Sequence, residues 1–342
     1  MAKINLLTIH WGCSYGGTLQ TYSTIKLLEK LGHQVTLINL VHPDSTFMAK
    51  YKSFYSLWDS GVYVSFSMFR RRHFPNMTKK MYQITTSKIP SCDYFVVGSD
   101  QVWNENITTS LKKSYFFDFV KDTPRISLSS SFGKDSFDWP LEYQKFVSDA
   151  LRKFKAISIR EASGVAFCHD CLNVNAIQLL DPTLLWGQFD DLIKRAKPKH
   201  QIFPFIFKNN EEAGTITNTV SSTLGVPIFS YNYYNRLFGR SPQAWLANMK
   251  NSDFIITDSF HGLAFSLLFH KRFIVLCADS KKFTRLQSLL KLVNLEERHV
   301  SSLSDLKNRI HILNEEIDYS KVDSILNEKR EIAISFLKQE IN

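Results

Sequence analysis

The sequence has 342 residues, of which 44% are hydrophobic and 22% charged. This composition excludes a disordered chain, and the length suffices for two domains with buried cores. The formal net charge of +10 favours anionic partners, whether phosphorylated substrates, nucleic acids or a membrane surface, without choosing among them.

The first elements predict a βαβ unit. A compact apolar run, a turn, a helix with one apolar face and a second apolar run follow one another: Ile4–Ile9, His10–Gly17, Thr18–Leu31 and Val35–Leu40. Right-handed crossover of such a unit implies a parallel sheet. Gly16 and Gly17 would let backbone N–H groups approach an anion before the helix, although a plain tight turn explains them equally well.

Residues 45–90 differ from the rest. Aromatic residues crowd Phe47–Phe69, basic residues follow, and no acid occurs between Asp59 and Asp93. The segment predicts a helical insertion with a solvated basic side. A second interpretation makes it a surface for an anionic or lipid-linked substrate, or for peripheral contact with an anionic membrane.

The α/β pattern then resumes and later restarts. Short buried strands are predicted at Tyr94–Val97, Ile126–Ser131, Ala156–Ile159, Gln178–Leu180, Ile202–Phe207, Pro227–Tyr231, Phe254–Thr257 and Phe273–Leu276, with helices between and after them. A boundary is predicted at 186–200. We therefore expect an α/β protein with two Rossmann-like lobes facing a cleft, residues 1–190 and 191–315, and a C-terminal helix at 316–342 that packs back towards the first lobe.

Polar side chains follow these strands at the edge where open parallel sheets bind ligands. Gly98–Asn104 combines Ser99, Asp100, Gln101 and Trp103, a mixture that suits sugar hydroxyls and a sugar ring face. Arg160 follows another strand, and its guanidinium could form two parallel hydrogen bonds to a carboxylate or phosphate. An internal ion pair with Glu161 explains Arg160 equally well.

The segment Asp258–Gly262 follows the strand Phe254–Thr257 and opens an apolar helix predicted at Leu263–Leu268. A lone histidine is usually structural. Here His261 stands beside Ser259 and Gly262 at a helix start, where an anion would be stabilised and an imidazole can donate a proton. We therefore expect a functional site.

The cysteines and the apolar runs argue for a cytoplasmic protein. Five cysteines at wide spacing do not form a disulfide framework. Cys168-His169-Asp170-Cys171 resembles half a zinc site without a second pair, so we expect no metal and no other cofactor. The first apolar run is too short for a signal peptide, and no run of about 18 apolar residues predicts a membrane span.

Together and in this order, these motifs resemble the polysaccharide pyruvyl transferase family. The resemblance spans about residues 5–300 and is carried by Gly16–Tyr22, Gly98–Asn104, Ser129–Gly133, Ser158–Glu161, Leu180–Leu185, Thr257–Gly262, Arg285, Ser288–Leu290 and Arg298. It implies a fold similar to the glycosyltransferase B type. It also implies transfer of a pyruvyl group from phosphoenolpyruvate to a sugar, such as a galactose-type residue of a lipid-linked precursor, giving a pyruvate ketal in a surface glycan.

The resemblance also implies roles for the residues. His261 and Asp100 would be catalytic, as phosphate contact or proton donor and as hydroxyl base. Arg160, Ser259, Phe260, Gly262 and Arg285 would bind phosphoenolpyruvate. The acceptor would contact Gly16, Gly17, Gln20, Ser99, Gln101 and Trp103.

One departure concerns the donor. Several family members have Arg-Leu-His-Gly where this chain has Ser259-Phe260-His261-Gly262. The cation two residues before the histidine is missing, so Arg285, Lys271 or another base must replace it.

Three other functions compete with pyruvyl transfer. A glycosyltransferase with a nucleotide-sugar donor would use the same kind of cleft, without a DxD metal motif. The net charge also suits a nucleic-acid-binding protein, but the sequence has no recognised nucleic-acid motif, so we expect no such partner. A binding module for phosphorylated glycans would bind substrate without turnover.

Overall fold

The computed structural model describes residues 1–43, 57–134, 137, 139–193, 198–208, 210–230, 240–277 and 280–341. The chain divides into two compact units. The N-terminal unit comprises Met1–Trp186 and Lys329–Asn342, and the C-terminal unit comprises Gly187–Glu328.

The described strands are short and the described helices vary in length. The strands are β1 (Lys3–Leu7), β2 (Gln34–Leu37), β3 (Tyr94–Val97), β4 (Arg125–Ser127), β5 (Ser158–Ile159), β6 (Ile177–Gln178), β7 (Ile202–Phe205), β8 (Phe254–Thr257), β9 (Arg272–Leu276) and β10 (His299–Val300). The helices are α1 (Tyr15–Lys30), α2 (Leu57–His73), α3 (Glu105–Thr108), α4 (Leu141–Leu151), α5 (Ala162–Asp170), α6 (Pro182–Trp186), α7 (Glu211–Leu224), α8 (Pro242–Asn251), α9 (Phe260–Leu268), α10 (Ser280–Leu292), α11 (Leu303–Asn308) and α12 (Tyr319–Glu340).

The N-terminal unit contains a parallel sheet in the order β2-β1-β3-β4. Ile4 of β1 pairs with Val35 on one side and with Tyr94 on the other. Bridges from Ile126 to Ala156 and from Ser130 to Ile159 continue the sheet towards β5, which pairs with β6. Because β2 and β3 lie on opposite sides of β1, the chain reverses its direction of winding between β1 and β3. Such a switch point opens a crevice at the carboxyl ends of its two strands.

The C-terminal unit contains a second parallel sheet in the order β10-β9-β8-β7. Thr257 of β8 pairs with Phe205 of β7 and with Val275 of β9. A bridge between Ile202 and Ile228 adds a neighbour on the other side of β7. The switch point of this sheet therefore lies between β7 and β8.

Buried apolar runs explain why these segments form central strands. The sequence Phe-Ile-Ile-Thr of β8 is buried at every position, as expected when both faces of a parallel sheet are covered. Burial of each such side chain contributes about 1.5–3 kcal/mol. In the N-terminal unit an aromatic cluster, including Trp103 stacked on Phe116 at 5.3 Å between ring centroids, fills the core.

Capping residues move two predicted helix starts. Helix α1 begins at Tyr15, three residues earlier than predicted, because Ser14 accepts a hydrogen bond from Gly17 N. Helix α9 begins at Phe260 rather than Leu263, because Ser259 accepts one from Gly262 N. Gly16, Gly17 and His261 therefore lie in first helical turns, not in turns before helices.

The basic insertion forms helix α2, which packs against α1. The ring centroids of Tyr15 and Phe66 lie 5.1 Å apart, and those of Tyr22 and Phe69 lie 6.2 Å apart. The predicted aromatic stretch before residue 57 lies outside the described residues.

Parallel sheets with helical crossovers in both units confirm the predicted α/β class with two Rossmann-like lobes. Among the helices that the structure describes, none combines the length and the hydropathy needed to cross a membrane.

Candidate functional site

The first candidate site lies at the carboxyl ends of β1 and β3, where the N-terminal sheet switches direction. Thr8, just after β1, donates a hydrogen bond to the Ser99 carbonyl at 3.0 Å. The Thr8 hydroxyl also accepts one from Gln20 Nε2 at 3.0 Å. These bonds hold the loop after β1, the start of α1 and the loop after β3 together.

Asp100 places a carboxylate in this crevice. Its side chain is half-buried, and its backbone adopts the left-handed conformation with φ at 68°. A Cβ on Gly17 would lie 3.3 Å from Asp100 Oδ2 and 3.2 Å from the Ile9 carbonyl. Glycine at position 17 therefore leaves room for the Asp100 carboxylate to approach the helix start, and its predicted role as hydroxyl base stays compatible with its position.

The burial of three side chains argues against their predicted contact with the acceptor. Gln20, Ser99 and Trp103 each have 0% of their surface exposed. Gln20 Nε2 donates to backbone carbonyls around the loop after β1. Ser99 Oγ donates to Asp181 Oδ2 at 3.0 Å, and Trp103 Nε1 donates to the Tyr115 carbonyl at 3.1 Å. These side chains hold the site's framework rather than a ligand.

The remaining predicted acceptor residues are Gly16, Gly17 and Gln101. Both glycines are buried in the first turn of α1. Gln101 is half-buried, and its Oε1 accepts a hydrogen bond from Asn104 Nδ2 at 2.7 Å. Their contact with an acceptor stays a prediction.

Arg160 forms an internal ion-pair centre. Its Nη1 lies 2.8 Å from Asp181 Oδ2 and its Nε lies 3.1 Å from Glu161 Oε1. The Arg160 side chain is only 2% exposed. The structure therefore favours the internal ion pair over the predicted direct contact with phosphoenolpyruvate. If the Arg160 side chain turned towards a ligand, two buried carboxylates would be left without their cation.

The two carboxylates are held in turn by hydroxyl groups. Ser131 Oγ donates to Glu161 Oε1 at 2.6 Å, and Thr183 Oγ1 donates to Asp181 Oδ1 at 2.7 Å. Although burial lowers the pKa of Arg160, the charges of Glu161, Asp181 and Asp100 outweigh it and raise that pKa above its ordinary value. An acid or a hydroxyl follows several predicted strands, which is a sign of this network, but spacing along the chain cannot show which of these groups pair.

The second candidate site lies at the carboxyl end of β8. Asp258 Oδ1 accepts a hydrogen bond from Phe207 N at 2.8 Å, and Oδ2 accepts one from Lys208 N at 2.8 Å. Thr257 Oγ1 donates to the Phe205 carbonyl at 2.8 Å. The loop after β7 is thereby fixed against the start of α9, again at a switch point of the sheet.

His261 occupies the first turn of α9. Ser259 is the N-cap, Phe260 is half-buried, and His261 is 9% exposed with its ring edge-on to Phe260 at 5.4 Å. The helix dipole stabilises negative charge at this end. Ser259 thus has a structural role as cap, and His261 keeps a position from which it could meet an anion.

Gly262 is required by close packing of α9 on β8. A Cβ at this position would lie 2.1 Å from Thr257 Oγ1, on a side chain held by its own hydrogen bonds. We predict that Gly262→Ala lowers the free energy of unfolding by about 2 kcal/mol through overpacking. Chemical denaturation measures the change.

Gly214 provides the matched control for this substitution. It lies inside helix α7, and a Cβ there would meet nothing within 4 Å. Gly214→Ala should raise the free energy of unfolding by about 0.5–1 kcal/mol. Equal effects of the two substitutions would contradict the packing role of Gly262.

The basic residues that could replace the cation missing at position 259 lie at different places in the C-terminal unit. Lys271 precedes β9, and Arg272 pairs with Phe254 at the amino end of β8, so Lys271 lies at the wrong edge of the sheet. Arg285 is half-buried on α10, a helix that contacts α9. Lys208, which we did not predict, follows β7 at the carboxyl edge, and its backbone N–H is held by Asp258.

The cysteine-histidine segment lies at the end of α5. Cys168 is buried and Cys171 is exposed, and burial raises the pKa of the Cys168 thiol to about 12. Within the part of the chain that the structure describes, no group of three or more His, Cys, Asp or Glu side chains is placed to hold a metal ion.

Comparison with known proteins gives a family and a fold. A sequence model for polysaccharide pyruvyl transferases matches residues 15–277. A sequence search of curated proteins gives no match.

Among solved structures, the UDP-GlcNAc 2-epimerase from Neisseria meningitidis bound to UDP-GlcNAc is similar, with a TM-score of 0.51, 11% identity and coverage of 99% of each chain. Spinosyn rhamnosyltransferase SpnG has a TM-score of 0.45 and 9% identity, covering 99% of this chain and 96% of its own. The likeness to the epimerase is one of fold alone.

Proposed function

The chain belongs to the polysaccharide pyruvyl transferase family, and on that premise we propose that it transfers a pyruvyl group from phosphoenolpyruvate to a galactose-type sugar of a surface-polysaccharide precursor. The single observation that carries the proposal is the family match over residues 15–277. The product is a cyclic pyruvate ketal, and phosphate is released. The proposed setting is the cytoplasm or the inner face of its membrane, where such precursors are built.

The reaction needs one acid, one base and anion contacts. The methylene carbon of phosphoenolpyruvate takes up a proton and becomes the methyl group. One sugar hydroxyl bonds to the central carbon, a second hydroxyl displaces phosphate, and the ketal ring closes. Of the two hydroxyl protons released, one balances the proton on the methyl carbon and the other leaves with hydrogen phosphate.

We assign the base to Asp100. Its carboxylate is half-buried at the switch point between β1 and β3, the place where open parallel sheets bind ligands. Arg160, Glu161 and Asp181 form a buried charge network, and the charge of Asp100 also acts on Arg160. We therefore treat Arg160 as a positioning residue.

We assign the donor's anionic groups to the start of α9. His261 would contact the phosphate or deliver the proton, and Ser259, Phe260 and Gly262 would contribute the helix start. Lys208 and Arg285 are the candidates for the cation that the Ser259 position lacks. We favour Lys208, because Asp258 fixes its backbone at the same sheet edge as His261.

Lys208→Gln should raise KM for phosphoenolpyruvate about tenfold and leave kcat within a few-fold, as expected when a cation contributes to ground-state binding. Lys199→Gln is the control, because Lys199 is exposed before β7. Steady-state phosphate release with phosphoenolpyruvate as varied substrate measures both. Equal KM values for the two variants would remove Lys208 from the donor site.

A donor screen tests the proposed function. The purified chain is incubated with a galactoside acceptor and with phosphoenolpyruvate, UDP-galactose or UDP-glucose in turn. The proposal predicts acceptor-dependent phosphate release from phosphoenolpyruvate. Turnover with a nucleotide sugar only would overturn it and favour a glycosyltransferase, whereas binding of acceptor without turnover of any donor would favour a binding module.

A further inference from the structure

A cavity of about 380 Å³ lies in the N-terminal unit and is used by none of the roles assigned above. Its walls come from the loop after β1, the end of β2, one side of α2 and the segment that follows α2. The lining residues include Trp11, Asn39, Tyr63, Arg70, Arg71 and Lys80. The volume falls within the range of small-molecule sites.

The described residues that line this cavity carry charge of one sign. Arg70, Arg71 and Lys80 are among them, and none of the described lining residues carries a carboxylate. The sequence has no acid between Asp59 and Asp93, so the segment that supplies these three cations contains no carboxylate of its own. Such a concentration of positive charge around a concave surface attracts an anion.

Arg70 connects the cavity to the crevice that contains Asp100. Its Nη1 donates to the Gly12 carbonyl at 2.7 Å and lies 3.4 Å from the His10 carbonyl. The same loop leads into helix α1, where Gly17 faces Asp100 Oδ2. A ligand in the cavity would therefore lie beside the loop that leads to Gly16 and Gly17, the predicted acceptor contacts.

The other lining residues suit a sugar more than a hydrocarbon chain. Asn39, Ser67 and Thr78 offer hydrogen-bonding groups, and Trp11 and Tyr63 offer aromatic faces. A glycan carrying a phosphate uses both features, since hydroxyls need polar partners and the phosphate needs guanidinium or ammonium groups.

We propose that this cavity binds the phosphate or diphosphate ester at the reducing end of the acceptor sugar. The inference rests on the proposed function, because it treats the acceptor as a sugar. Arg71 and Lys80, both exposed at the cavity, make the phosphate contacts, while Arg70 holds the loop.

Isothermal titration with galactose 1-phosphate, inorganic pyrophosphate and galactose tests this site without any donor. The wild-type chain should bind the two phosphate compounds and bind galactose much more weakly. Arg71→Gln/Lys80→Gln should weaken binding of both phosphate compounds by about tenfold or more, a loss that corresponds to about 1.4 kcal/mol.

Arg72→Gln/Lys79→Gln is the matched control. It removes the same charge from the same segment, at exposed residues outside the cavity lining. At fixed ionic strength it should change binding less than twofold. Equal losses for the two double variants would reduce the effect to diffuse charge and overturn the proposal, as would absence of binding by the wild-type chain.

Two further arms separate the ligand's possible sources. Phosphatidylglycerol vesicles should not displace galactose 1-phosphate; displacement would identify the ligand as a lipid headgroup and contradict the sugar-phosphate assignment. Phosphoenolpyruvate binding should survive Arg71→Gln/Lys80→Gln; its loss would make the cavity the donor site. If galactose 1-phosphate binds at the cavity but phosphoenolpyruvate is never turned over, the proposed function fails while the anion site stands.

Discussion

Replacement of His261 by alanine is expected to lower kcat for pyruvyl transfer by about a hundredfold to ten-thousandfold, the range typical of a lost general acid. The imidazole lies in the first turn of α9, where the helix dipole favours the anionic donor. Steady-state phosphate release with a galactoside acceptor measures the change, and thermal unfolding shows whether the variant retains its fold.

His270→Ala is the control for this substitution. His270 belongs to the same unit but is exposed, pairs with Asp323 at 3.1 Å and precedes β9 at the amino end of the sheet. It should keep wild-type kcat. A folded His261→Ala variant with a kcat within twofold of wild type would remove His261 from the chemistry.

Arg160→Met is expected to lower the free energy of unfolding by about 3–5 kcal/mol, because Glu161 and Asp181 would remain buried without their cation. Asp181 has none of its side chain exposed and accepts hydrogen bonds from Ser99 and Thr183. Loss of the guanidinium therefore disturbs the loops after β3, β5 and β6 together. Urea denaturation measures the change.

Arg152→Met provides the comparison. Arg152 pairs with Asp149 on the surface, with both side chains 53% exposed, at 3.7 Å. Such a pair contributes about 0–1 kcal/mol. If Arg160→Met were no more destabilising than Arg152→Met, the guanidinium would not be the centre of the network, and its assignment as a donor-binding residue would regain weight.

The sequence predicts best those strands that are determined by their own residues and their immediate neighbours in the chain. The bounds of β3 and β8 follow from short runs of apolar residues bounded by polar ones. The predicted starts of α1 and α9 are wrong because Ser14 and Ser259 cap these helices earlier in the chain. The capping hydrogen bond depends on the backbone at a single residue, which hydrophobic periodicity does not report.

The candidate sites were harder to predict because their partners are distant in the chain. Arg160 pairs with Asp181, 21 residues later, so spacing could not decide between an internal ion pair and a ligand contact. A tryptophan side chain can stack on the face of a sugar ring, but the ring of Trp103 is buried and stacks on Phe116 in the core. The cavity beside α2 is lined by residues from both 10–12 and 63–80, and only the folded chain shows that these segments lie close together.

The fate of the donor's central carbon is the most direct test of pyruvyl transfer. Phosphoenolpyruvate labelled with carbon-13 at that position is incubated with the chain and a galactoside acceptor, and the product is examined by NMR and mass spectrometry. Pyruvyl transfer predicts a labelled ketal carbon bonded to two acceptor oxygens, and a mass gain of one pyruvate less one water. An acceptor that stays unlabelled, or that gains a hexose when a nucleotide sugar is supplied, would contradict it.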